Sequence, residues 1–109
     1  MSLITSTEKD TLNKIIEIIL EYFPYAKQIA LPWFAFNGQF LINEEIPVYV
    51  IDETELMDIN EFNEKIELKR ECQKKYAGIF KLFYSTAENA EFNEDLEGAT
   101  IIYDKYNKL

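Results

Sequence analysis

Residues 31–51 read LPWFAFNGQFLINEEIPVYVI: two short apolar runs flank Asn37-Gly38, and a third follows Pro47. Asn-Gly between such runs is the strongest short-range hairpin signal, because a type I′ turn needs positive φ at both central residues. In that register Phe36 faces Gln39, Ala35 faces Phe40, Phe34 faces Leu41 and Trp33 faces Ile42. The third run, 48–51, is expected to join the same sheet. Apolar side chains point to both faces of this hairpin, so a helix must cover one face and further chain the other.

Upstream, Leu12, Ile15, Ile16, Ile19, Tyr22 and Phe23 recur at helical spacing, with Ile18 and Leu20 widening the stripe. Thr7 is the expected N-cap, Asp10 stands three positions on, and Pro24 ends the helix or bends it into a turn through Ile29. Downstream, a second helix is expected from Asp58 or Asn60 to Tyr76 or Ala77, with Gly78 as its stop. Its apolar positions are sparse, and Glu61/Lys65 and Glu67/Arg70 pair along its outer face. Residues 79–85 and 99–103 read as two more strands, with 87–98 as a loop or one irregular helical turn. The expected fold is therefore α+β, a single domain over 1–109. Its mostly antiparallel sheet has about five strands and two helices on one side, in the order α-β-β-β-α-β-β.

A chain of 109 residues can bury about two-thirds of its unfolded surface, and seven Tyr, eight Phe and one Trp supply a core. No apolar run approaches the length of a membrane span, and 1–10 lacks the pattern of a signal peptide. One cysteine, Cys72, rules out an internal disulfide and suits a reducing, cytoplasmic setting. Net charge is −9, which argues against nucleic acid as a direct ligand and against an anionic membrane. The absence of histidine removes the commonest general base, the commonest zinc ligand and every Ser-His or Cys-His pair.

Charge is segregated along the chain. Residues 44–64 carry acids without a base, as do 82–104, while six of the eleven basic residues fall within 65–81. Acidic rims with aromatic or Met anchors speed association and supply binding hot spots. The candidate partner-binding residues are therefore Glu44, Glu45, Tyr49, Asp52, Glu53, Glu55, Met57, Asp58 and Glu61. Phe92 anchors the second acidic stretch.

Other chemistries fit less well. Adjacent acids such as Glu44-Glu45 and Asp52-Glu53 do not define the fixed separation and pocket that glycosidase chemistry needs. Residues 52–55 lack the glycine and spacing of an EF-hand loop, and Gly38, Gly78 and Gly98 form no phosphate loop. Cys72 sits within the second helix without a histidine to activate it, and Trp33, Phe34 and Phe36 read as core. No catalytic residue, metal or cofactor is expected. The expectation is a small acidic interaction module of the inhibitor or immunity-protein kind. It would neutralise a basic partner, such as a nuclease toxin, by covering the nucleic-acid-binding surface. An acidic secretion-type chaperone, which would dimerise, and a small-ligand pocket protein or enzyme are the alternatives. Monomer or dimer is left open.

Overall fold

A computed structural model of the chain describes residues 4–42, 44–53 and 58–106. Helix α1 spans Ser6–Tyr22 and opens with a reciprocal capping box. Thr5 Oγ1 accepts from the Glu8 N–H at 3.2 Å, and Glu8 Oε1 accepts from the Thr5 N–H at 2.9 Å. The cap is thus Thr5 and not Thr7, because only Thr5 has a glutamate three residues on to return the bond. Leu12, Ile15 and Ile19 are buried along one stripe, and Pro24 follows the Phe23 cap where the helix stops.

Where a bend or turn through Ile29 is expected, Ala26–Leu31 forms strand β1. Ala26, Lys27 and Gln28 have little strand propensity. β1 nevertheless lies between two neighbours and pairs with both, and that tertiary pairing overrides the local preference.

The hairpin forms, but in a different register and outside the main sheet. Trp33–Ala35 is a 3-10 turn, started by Pro32, whose carbonyl accepts from the Ala35 N–H at 3.0 Å. Strands β2 (Phe36–Asn37) and β3 (Phe40–Leu41) then pair Phe36 with Leu41 and Asn37 with Phe40. The two loop residues are Gly38 and Gln39; Gly38 has φ of +66°, while Asn37 remains in the strand. The turn thus slides by one residue from the Asn-Gly expectation. With Trp33–Ala35 drawn into a 3-10 turn, little strand remains to pair, and the hairpin stays a separate two-stranded sheet.

The main sheet has the order β5-β4-β1-β6, with β4 at Ile46–Asp52, β5 at Phe80–Thr86 and β6 at Thr100–Asp104. β1 runs antiparallel to β4 and β6, whereas β4 and β5 are parallel. A parallel neighbour requires a crossover, and helix α2 (Ile59–Lys75) provides it. Asp58 caps α2 by accepting from the Glu61 N–H at 2.8 Å, and Gly78 sits at φ of +88° just beyond the end. α1 and α2 cover one face, closing a core of Ile15, Ile19, Ile29, Val48, Val50 and Leu82. The fold is α+β, with a mixed four-stranded sheet where a mostly antiparallel sheet of five is expected.

β5 is an edge strand, and α2 shields its backbone. Gln73 Nε2 donates to the Phe80 carbonyl at 2.9 Å, and the Leu82 N–H donates to Gln73 Oε1 at 2.5 Å. One side-chain amide thereby stands in for the next strand and blunts the edge. Gln73→Ala is expected to lower stability by about 1–3 kcal/mol in chemical denaturation, since two half-buried backbone groups lose their partners. At the entrance to β4, Glu45 has φ of +44°, a conformation that disfavours side chains with a Cβ. Glu45→Gly is expected to hold or raise stability by up to about 1 kcal/mol, while Glu45→Val lowers it by about 1–2 kcal/mol.

Candidate functional site

β4 separates the acids that are adjacent in sequence. Glu44 and Glu45 are exposed at its start, and Glu53 lies half-buried beyond its end. The strand between them places the two groups about 25 Å apart, at opposite ends of the sheet. Glu53 is engaged internally: its carboxylate accepts from the Tyr106 hydroxyl and from Lys105 Nζ, the latter at 3.1 Å. These two bonds hold it below the usual carboxylate range. Asp58 is occupied as the α2 cap, and Glu61 is exposed in the first turn. Glu55 and Met57 lie outside the described residues.

Asp52 and Tyr49 are inward-facing residues of the sheet. Asp52, 3% exposed, accepts from the Tyr84 hydroxyl at 2.9 Å and lies 3.5 Å from Lys65 Nζ on α2. The trio pins α2 to the carboxyl ends of the parallel strands β4 and β5. Burial, aided by the bond to Asp52, pushes the Tyr84 phenol well above its ordinary value. Tyr49 points to the opposite face and stacks on Phe83 at 4.9 Å. Phe34 meets Phe83 edge-on at 6.1 Å, and Trp33 meets Phe34 edge-on at 5.4 Å. Trp33, expected in the core, is 61% exposed because its 3-10 turn carries it off the sheet.

This aromatic row leads to the second acidic stretch. Tyr49 OH donates to Asp95 Oδ2 at 2.9 Å, tying the 87–98 segment to the back of the sheet. Burial raises the Tyr49 phenol, with Asp95 adding to the rise and Asn93 opposing it. The segment contains helix α3 (Ala87–Ala90) and a 3-10 turn at Glu94–Leu96. It leaves β5 at one edge of the sheet and enters β6 at the other, so it must cross behind β4 and β1. Glu88, Glu91, Glu94 and Glu97 are exposed along it, and Phe92 between them is 82% exposed. The sequence signal for this surface is the base-free run 82–104. Asp95 and Trp33 lacked a signal of their own, because only the tertiary fold brings them to one row.

Catalytic chemistry has little to draw on here. Cys72 is buried in α2, and burial pushes its thiol up to about 11, far from a reactive thiolate at neutral pH. Among the described residues, no cluster of three acids or cysteines is placed to hold a metal ion, and no helix is long and apolar enough to cross a membrane.

Tyr84 and Tyr49 keep their protons in the folded chain to higher pH than in the unfolded chain, where phenols titrate near pH 10. Their contribution is therefore complete below about pH 10 and is lost as pH rises through the folded values. Tyr84→Phe is expected to lower stability at pH 7 by about 1–2 kcal/mol, through loss of a bond to a carboxylate. It should also flatten the fall in Tm above pH 10, as thermal denaturation across pH 8–12 would show.

No protein-family model matches the chain, and no curated protein or solved structure matches it significantly.

Proposed function

We propose that the chain is a small acidic interaction module that neutralises a basic partner, such as a nuclease toxin, by covering its nucleic-acid-binding surface. The observation carrying this reading is the 87–98 crossover, where exposed Phe92 lies among exposed Glu88, Glu91, Glu94 and Glu97. No basic residue occurs anywhere in 82–104. Carboxylates spaced along an irregular segment match the positive groove of a protein that binds phosphates. An aromatic side chain at the centre excludes water and slows dissociation. Trp33 extends the apolar part of the same back layer, since its 3-10 turn packs beside the Glu94–Leu96 turn. Glu44 and Glu45 flank the end of the sheet from which Trp33 projects, while Asp58 and Glu61 lie toward the other end. The long-range field of a chain with net charge −9 would steer a basic partner toward any of these acids, and the exposed Phe92 supports the back as the point of closest contact.

A pull-down from the native cell, eluted with rising salt, is expected to release a basic nuclease that one equivalent of the chain inhibits. With that partner in hand, Glu88→Lys, Glu94→Lys and Glu97→Lys together should cut the association rate by about tenfold or more at low salt. Phe92→Ala should instead speed dissociation by about tenfold. Rates unchanged by both variants would remove the crossover as the binding surface. The absence of any basic partner would overturn the inhibitor reading.

A further inference from the structure

Between the back of the sheet and the 87–98 crossover lies a cavity of about 390 Å³. Small side chains leave the space open: Ala30 and Ala99 on the sheet side, Ala87, Ala90 and Gly98 on the crossover. Ile51, Ile101 and Leu96 give it apolar walls. Lys27, Gln28 and Glu91 complete the lining. β1 shifts register against β4 between Ala26 and Gln28, and Lys27 is the extra residue at that bulge. Gln28 is fixed by donating from Nε2 to Asp104 Oδ2 at 2.9 Å. Lys27 and Glu91 carry opposite charges; among the described residues neither forms a close salt bridge, while Lys27 is near enough to Glu53 to help lower that carboxylate.

We propose that this cavity binds a free aliphatic α-amino acid. The carboxylate pairs with Lys27, the ammonium with Glu91, and the side chain packs against Ile51, Ile101 and Leu96. A volume of about 390 Å³ falls within the ~300–1,000 Å³ typical of small-molecule sites. The two charges select the ligand class. A simple carboxylate would meet repulsion from Glu91 and from an acidic chain, and a simple amine would meet repulsion from Lys27. Only a zwitterion answers both, and the alanine-lined interior has room for an aliphatic side chain.

Calorimetric titration of the full chain with L-leucine tests the assignment. The expected result is saturable one-to-one binding, at least about tenfold weaker for 4-methylpentanoate, which lacks the amine, and for 3-methylbutylamine, which lacks the carboxylate. Lys27→Met and Glu91→Gln, both at the surface, should each weaken leucine binding by a similar factor. Ala90→Trp, which fills the space, should abolish binding while leaving the circular dichroism spectrum unchanged. No saturable binding of leucine, equal affinity for either singly charged analogue, or binding retained in a folded Ala90→Trp chain would overturn the proposal. Such a failure leaves the partner surface untouched, because that surface is tested at Glu88, Glu94, Glu97 and Phe92.

Discussion

β4 is buried at each of its seven positions, Ile46–Asp52, and so needs a protein layer on both faces. Val48 and Val50 face α1 and α2; Tyr49 and Ile51 face the other way. Its two neighbours fix its direction and register: β1 antiparallel on one side, β5 parallel on the other. Even Pro47 is accommodated. β1 pairs only as far as Tyr49, so Pro47 has a neighbouring strand on one side alone. With β4 placed, α2 has to cross one face to reach β5, and 87–98 has to cross the other to reach β6.

The two layers are unequal. The front is built from two seventeen-residue helices, and α1 alone contributes Leu12, Ile15 and Ile19 to a closed core. The back is a short irregular segment rich in acids, with two alanines and one glycine, helped by the Trp33–Ala35 turn. Such a layer shields β4 from water without filling the space behind it. That is why the cavity, the aromatic row and the exposed Phe92 all occur on this side. The side chains holding the layer, Tyr49 to Asp95 and Phe34 to Phe83, form a sparse set of contacts beside the front core.

The same architecture explains where the charges fall. A central strand cannot carry solvated acids along its length, so Glu44 and Glu45 lie at one end of β4 and Glu53 at the other. Asp52 escapes that rule only because Tyr84 and Lys65 compensate its burial. The crossover has no such constraint: Glu88, Glu91, Glu94 and Glu97 are exposed along it, while Asp95 turns in to Tyr49.

The helices were legible in the sequence because their determinants are local. Periodic Leu12, Ile15 and Ile19, the Asp58 cap and the Gly78 stop all act within a few residues of the backbone they organise. Absence of histidine and the two base-free acidic runs were equally plain, being properties of composition alone. Only the tertiary structure decided that the weak strand former Ala26–Leu31 would sit inside the sheet and that the hairpin would stand apart from it. Only the fold, too, turned Tyr49 and Asp52 inward, parted Glu45 from Glu53 and brought Trp33 into one row with Asp95. Strand partners are chosen across long stretches of chain, by burial and by pairing of backbone groups that no local window contains. The contents of a surface or a cavity follow from that choice.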